Sequence, residues 1–311
     1  MLLSCHEVGG VTMHRGKKIS YVFFGIVPLW ADQIIENYSP HRLPRYDDKL
    51  GQEIAPNLLV LHYTAESLAN TQALFAKTHL PNPVSAHYTI DVDGAIFQHV
   101  PENLAARHTG VAYWKGLEGP DPSQKKLNIY SIGIEHVNFG FKVKESQPTG
   151  VTVQGSDKEW YPFDERQIES SIALCKKILA GNNQIKPYNI LGHSDIAPRR
   201  KHDPGPLFPW KKFAQHGIGA WPDISKIKKL PCIDLCHDEQ CKKNWFMQHL
   251  HLWGYRLPDA EVANEDIVRA FHMHFRPENI DGKIDDESIT LLKALISEYT
   301  LNQGSCPCQK R

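Results

Sequence analysis

Three short, continuous apolar runs constrain the fold of this chain more than any other feature of its sequence. They span residues 58–64, 131–137 and 189–193, and such runs are typical of strands buried on both faces of a sheet. Helical patterns lie between them, one over residues 68–79 and a longer one that begins after Asp164 and ends at Gly181. A β-hairpin is predicted over residues 86–100, with its turn at Asp93-Gly94. This order predicts an α/β fold with a mixed central β-sheet covered by helices.

The pattern changes after residue 223. Residues 224–241 contain Lys and Cys without a sustained period and are interpreted as a linker. Three amphipathic helical segments follow over residues 242–301, which predicts a small all-α three-helix module with its own core, and residues 302–311 form a tail. The larger domain is predicted over residues 56–223, with a polar lead-in at 32–55 and a loop or insertion at 138–162.

The first 31 residues have the pattern of a signal peptide if translation starts at Met13. Basic residues at 15, 17 and 18 precede an apolar stretch over 21–31, which ends on the small residue Ala31. A buried N-terminal strand or helix is the alternative interpretation. No apolar run reaches the ~18–20 residues of a membrane-spanning helix, so we expect none in the mature protein.

The cysteines also favour an exported protein. We expect disulfides among five of them, with the pairing left open: Cys232, Cys236, Cys241, Cys306 and Cys308. Cys175 lies on the apolar side of a helical pattern and is expected in the core.

The charge balance argues against a nucleic-acid partner. The 311 residues include 35 Lys+Arg and 35 Asp+Glu, so the formal net charge is zero and no basic excess is available to displace counterions. The unusual count is 17 His, which raises the question of a metal site.

Two histidines and one aspartate follow the ends of predicted strands. His62 and His193 each end an apolar run, and Asp203 comes ten residues after His193. Two imidazoles and a carboxylate suit zinc and leave a fourth position for water. Glu135 on a third strand is a candidate general base, and Lys201 a candidate cation for a developing oxyanion. Spacing alone does not exclude other histidines as ligands: His87, His99, His108, His136 and His202.

The longest motif, at residues 192–210, reads GHSDIAPRRKHDPGPLFPW. Shorter ones are VLHYT at 60–64, SAHY at 85–88, AARHTG at 105–110, SIGIE at 131–135, GIGAWPD at 217–223 and FHMHFRP at 271–277. In this order they resemble the zinc N-acetylmuramoyl-L-alanine amidases of the AmpD and AmiD types, which share their fold with the peptidoglycan-recognition proteins. The resemblance covers about residues 56–300 and is closest to the exported AmiD type.

The resemblance implies a role for each matching residue. One Zn²⁺ would be held by His62, His193 and Asp203, with Glu135 as the catalytic acid and Lys201 as the transition-state cation. His108 and His87 match positions near the substrate cleft and are predicted to be structural or substrate-binding residues, not metal ligands. The C-terminal helices resemble a peptidoglycan-binding module.

Trp114 follows the His108 loop and is predicted to stack on sugar or peptide, with a packed loop anchor as the alternative. The implied reaction is hydrolysis of the amide between N-acetylmuramic acid and the L-alanine of stem peptides, with the 1,6-anhydro form of the sugar as a further candidate substrate. The implied partner is peptidoglycan, and we expect a monomer in the periplasm. No lipobox cysteine follows the apolar stretch, so a lipid anchor is not expected. The alternative function is a non-catalytic peptidoglycan-recognition protein on the same fold.

Overall fold

Six strands form a mixed central sheet. In spatial order they are β1 (Ile34–Glu36), β7 (Ile96–Gln98), β6 (Tyr88–Ile90), β9 (Ser131–His136), β5 (Leu58–Tyr63) and β13 (Ile190–Gly192). Only the β6–β7 pair is antiparallel. The computed structural model describes residues 33–48, 50–115, 127–143, 150–227 and 238–299. The predicted signal peptide and the tail at 302–311 lie outside these residues.

The three apolar runs are confirmed as strands β5, β9 and β13 of this sheet, and the predicted hairpin is confirmed as β6 and β7. The lead-in differs from the prediction, because β1 lies within it and adds an edge strand parallel to β7. This strand has only three residues, of which Ile35 and Glu36 are exposed, so its sequence lacks the longer apolar run that identified the others.

The segment predicted as a loop or insertion at 138–162 contains a small antiparallel sheet. Its strands are β10 (Phe141–Val143), β12 (Lys158–Trp160) and β11 (Val151–Thr152), in that spatial order. Two further ladders pair β2 (Arg42–Pro44) with β8 (Leu104–Ala106), and β3 (Tyr46–Asp47) with β4 (Gln52–Glu53). These strands are two or three residues long, too short for a period-2 pattern to stand out in the sequence.

Eight α-helices lie within the described residues. They are α1 (Leu68–Ala76), α2 (Leu127–Tyr130), α3 (Glu165–Gly181), α4 (His193–Ile196), α5 (Trp210–Gln215), α6 (Glu239–Trp253), α7 (Asn264–Phe275) and α8 (Asp286–Tyr299). The predicted Asp164 cap of α3 is confirmed, since its carboxylate accepts from the Arg166 N–H. His193 belongs to α4 and not to the preceding strand.

The two faces of the sheet pack against different helices. On one face Leu59 and Leu61 lie in one cluster with the apolar side of α3, including the buried free Cys175. On the other face Leu58 and Val60 share a cluster with the apolar residues of α6–α8. Because successive side chains of β5 point to opposite faces of the sheet, this one strand contributes to both clusters. The predicted three helices are confirmed, but their core is continuous with that of the sheet.

Two further sequence predictions concern export. Within the described residues, no helix is long and apolar enough to cross a membrane. Cys241 is disulfide-bonded, and its partner lies outside the described residues.

Candidate active site

The candidate site lies where strands β5, β9 and β13 end. His62 lies on β5, and Glu135 lies beside it on β9 as its register partner. His193 begins α4 directly after β13, and Asp203 follows on the next loop. Parallel strands bring these positions to one edge of the sheet, where open α/β sheets usually bind ligands.

Three side-chain atoms converge at this edge. The Oδ2 of Asp203 lies 2.8 Å from the Nδ1 of His62 and 3.0 Å from the Nδ1 of His193, and the two nitrogens are 3.0 Å apart. All three residues are buried, and they are the one group of three His, Cys, Asp or Glu side chains in the described ranges that could hold a metal ion.

A carbonyl fixes the proton of His193. Its Nε2 lies 2.9 Å from the carbonyl oxygen of Thr109, which can only accept a hydrogen bond. When the ring carries a single hydrogen, that hydrogen is therefore on Nε2, and Nδ1 directs a lone pair at Asp203.

A longer chain of hydrogen bonds fixes the proton of His62. The hydroxyl of Ser131 donates to the carbonyl of Leu127 at 2.6 Å, so its oxygen accepts from the Nε2 of His108 at 3.0 Å. The Nδ1 of His108 then accepts from the Nε2 of His62 at 2.9 Å. The Nδ1 of His62 is left with a lone pair that also faces Asp203. Burial lowers the pKa of His62 to about 4, which keeps the ring neutral.

The arrangement fits a metal cation. Two imidazole lone pairs and a carboxylate oxygen lie within 3.0 Å of one another and would repel without a positive charge among them. Two nitrogens and one oxygen are ligands that zinc accepts, and such a three-ligand set leaves a position for water. The outer hydrogen bonds to Thr109 and His108 are of the kind that orient metal-binding histidines.

The Glu135 carboxyl lies beside this group, and its Oε2 has no hydrogen-bond partner among the described residues. Burial raises the pKa of Glu135 well above its usual value, and the nearby Asp203 raises it further. Lys201 opposes this shift, so its charge is felt at the Glu135 carboxyl.

Lys201 and Glu135 line the same cleft, together with His193 and Asp203. The cleft has a volume of about 440 Å³, within the range of small-molecule sites. The predicted catalytic pair and two of the three predicted metal ligands therefore border one space.

The three residues predicted to contact substrate have different positions. His108 lines the cleft and also contacts His62, so it is placed to orient a ligand. His87 is 0% exposed, accepts from the Gly133 N–H at 3.0 Å and does not line the cleft, which corrects its assignment to substrate binding.

The prediction that Trp114 stacks on substrate is also corrected, because its position agrees with the alternative of a packed loop anchor. It is 2% exposed, its indole N–H donates to Asn189 Oδ1 at 3.3 Å, and its ring packs edge-on against Tyr255 at 5.3 Å. Trp114 lies in the same apolar cluster as buried residues of the C-terminal helices.

The other candidate histidines do not join the convergent group. His99 is bonded to Asn37 and Thr89, and His136 to the His62 carbonyl and the Ser171 hydroxyl. His202 packs edge-on against Phe141 at 5.4 Å.

Sequence reasoning did not assign roles to several residues that support the site. Arg200 donates to the carbonyls of Thr109 and Val111 at 2.8 and 2.7 Å, and so holds the carbonyl that orients His193. The Oδ1 of Asn128 accepts from the backbone N–H groups of His108 and Thr109. Arg200 lies beside Lys201 in the long motif, which is a usable signal, whereas nothing local marks Asn128.

Comparison with known proteins agrees with this geometry. The Amidase_2 family model, described as N-acetylmuramoyl-L-alanine amidase, matches residues 52–206. N-acetylmuramoyl-L-alanine amidase AmiD of Escherichia coli (strain K12) is 36% identical over 251 residues, which cover 78% of this chain and 83% of that protein.

Two solved structures are similar over most of the chain. The complex of E. coli AmiD with the substrate anhydro-N-acetylmuramic acid-L-Ala-D-γ-Glu-L-Lys has a TM-score of 0.64 and 33% identity, and covers 84% of this chain and 92% of that one. AmpDH3 from Pseudomonas aeruginosa in complex with anhydromuramic pentapeptide has a TM-score of 0.63 and 33% identity, with 79% and 92% covered. The resemblance predicted from the motifs is confirmed: the chain belongs to the Amidase_2 family of N-acetylmuramoyl-L-alanine amidases.

Proposed function

We propose that this protein hydrolyses the amide between the lactyl group of N-acetylmuramic acid and the L-alanine of peptidoglycan stem peptides, with a zinc ion held by His62, His193 and Asp203. The observation that carries the proposal is the convergence of three lone-pair donors beside the carboxyl of Glu135, whose Oε2 has no hydrogen-bond partner within the described part of the chain. The names of the similar proteins support the same reaction.

His62, His193 and Asp203 would hold the zinc ion, which would supply a Lewis acid and lower the pKa of a water in the cleft. Glu135 accepts the proton of the attacking water and delivers it to the leaving amine nitrogen. A raised pKa suits this role, because a carboxyl that must both take and give a proton works best when its pKa lies near the working pH.

Lys201 places its ammonium group in the same cleft, where it stabilises the negative charge that develops on the carbonyl oxygen. The positive charge of Lys201 also lowers the pKa of the Glu135 carboxyl. Lys201 therefore acts on the oxyanion, whereas Glu135 transfers the proton.

The ligands of the similar structures support the substrate class. Both of those structures hold anhydromuramyl peptides, which supports acceptance of the 1,6-anhydro form alongside ordinary muramic acid, and a role in cell-wall degradation and recycling. The signal-peptide pattern supports a periplasmic location, where this substrate lies. A monomer remains our expectation.

A non-catalytic peptidoglycan-recognition protein is the second candidate. Such a protein needs neither a base nor a complete ligand set, and this chain keeps both in a connected arrangement. Hydrolysis is therefore favoured.

Mass spectrometry of the products from defined muropeptides tests the proposal. The full chain should release free stem peptide from both anhydro and ordinary muramyl peptides, and a chelator should stop the release until zinc is restored. Metal analysis should find about one zinc per chain.

Two variants complete the test. Glu135→Ala should bind zinc but release no peptide, whereas Glu169→Ala, which removes an exposed carboxylate on α3, should retain wild-type activity. Binding of muropeptides without any release by the wild type would favour the recognition protein instead.

A further inference from the structure

Asp195 lies two residues after His193 on helix α4 and is 1% exposed. Its carboxylate accepts three hydrogen bonds. The Gly192 N–H and the His274 Nδ1–H donate to Oδ2 at 2.7 and 2.8 Å, and the Tyr255 hydroxyl donates to Oδ1 at 2.5 Å. One buried side chain therefore joins the start of α4 to two residues of the C-terminal helical region.

Those two partners are themselves held firmly. Tyr255 follows α6, is fully buried and packs edge-on against Trp114. The ring of His274 on α7 stacks on Trp210 at 3.8 Å and 19° and on Phe275 at 4.0 Å and 8°. Both donors therefore reach Asp195 from fixed positions.

Helix α4 depends on such an anchor, because it has only four residues and its terminal backbone hydrogen bond runs from the Ala197 N–H to the His193 carbonyl. It carries the His193 side chain, and its Ser194 N–H donates to the Asp203 carbonyl at 2.9 Å. A shift of α4 would displace two of the three candidate metal ligands together.

We propose that Asp195 is a positioning residue for the metal site, and that Tyr255 and His274 complete this site from the C-terminal helices. On this view the helical region is part of the catalytic scaffold and not only an attached wall-binding module. The inference rests on the proposed function, because it concerns the same zinc site.

Asp195→Asn in the full chain is the main test. All three partners of Asp195 are donors, so an amide NH₂ must face at least one of them and the anchor is weakened. We expect the zinc dissociation constant, measured by competition with a chelator, to rise about tenfold, which is the lower end of typical losses for residues that support metal ligands. The visible spectrum of the Co²⁺-substituted protein should change, and kcat should fall while KM stays nearly constant.

Tyr255→Phe is the milder variant, because it removes a single oxygen and keeps the ring against Trp114. It should move the zinc dissociation constant and the Co²⁺ spectrum in the same direction by a smaller amount. This variant keeps the proposal testable if Asp195→Asn fails to fold.

Ser288→Ala is the matched control. It removes the hydrogen bond between Ser288 and His272 at 2.9 Å, and both of these residues are fully buried in the C-terminal helices, as Tyr255 and His274 are buried at the anchor. Ser288 has no hydrogen bond to α4. It should lower the melting temperature and leave zinc affinity and the Co²⁺ spectrum unchanged.

The inference is overturned if Asp195→Asn and Tyr255→Phe lower only the melting temperature, as Ser288→Ala does, with zinc affinity and spectrum as in the wild type. Absence of zinc binding by the wild type would instead remove the proposed function, so the two failures are distinguishable.

Discussion

The Nε2 of His62 donates a hydrogen bond to the Nδ1 of His108 at 2.9 Å, and this contact determines which nitrogen of His62 faces Asp203. The His108 ring reaches this position because Gly133 leaves room for it. A Cβ at residue 133 would lie 2.5 Å from the His108 Nδ1. A residue predicted to line the cleft is thus also placed to orient a metal ligand.

Replacing His108 by Leu should weaken zinc binding. The change removes the acceptor for the His62 Nε2–H, so the ring loses both its fixed tautomer and its orientation. We expect a 10- to 100-fold rise in the zinc dissociation constant, measured by chelator competition. His99→Leu removes another buried histidine with two hydrogen bonds and should leave zinc affinity unchanged. Equal zinc affinity in both variants would contradict the proposed role of His108.

Replacing Lys201 by Met should lower kcat about 100- to 1000-fold with little change in KM, because the lost charge acts on the transition state. Steady-state kinetics on a defined muropeptide measures both constants. Lys211→Met on α5, at an exposed position, is the matched control and should behave as the wild type. A rise in KM with kcat preserved would place Lys201 in substrate binding instead.

Glu135→Gln should make the zinc-free protein more stable at neutral pH. A carboxyl whose pKa is raised on folding binds its proton more tightly in the folded state, so its contribution to stability is present at low pH and is lost as the pH rises through the folded pKa. Glutamine does not ionise, so its contribution to stability does not fall as the pH rises.

The free energy of unfolding of the two zinc-free proteins, measured in denaturant, should therefore be similar near pH 4 and diverge as the pH rises towards 8. Glu169→Gln, at an exposed site on α3, should show no such divergence. A constant difference between Glu135→Gln and the wild type across this range would argue against a buried, raised-pKa carboxyl.

Gly254→Ala should destabilise the junction between the helical region and the sheet. Gly254 has φ +151°, and a Cβ there would lie 2.2 Å from the Trp114 ring. We expect a loss of about 1–3 kcal/mol in the free energy of unfolding, measured by denaturant titration. Gly181→Ala, at the end of α3 with no atom within 4 Å of the added Cβ, should cost nothing. A neutral Gly254→Ala would show that Trp114 can move away freely.

Much of the fold could be predicted because its signals are local. The apolar runs of β5 and β9 and the Asp164 cap of α3 each extend over a few consecutive residues. The edge strand β1 and the small sheet at 141–160 were not predicted, since short, half-exposed strands lack a distinctive pattern. Trp114 was assigned to the cleft because an aromatic residue in a loop gives no indication of the direction in which it packs.

The α/β sheet could be predicted from apolar runs of neighbouring residues, and the resemblance of the motifs to the amidases predicted the set of His62, His193, Asp203, Glu135 and Lys201. The nitrogen of each histidine that faces Asp203, and the contacts of Tyr255 and His274 with Asp195, could be learned from the folded structure alone. These outcomes depend on hydrogen bonds between residues that are distant in the sequence. His62 and His108 are separated by 46 positions, and Asp195 and His274 by 79, and no local pattern specifies such pairs.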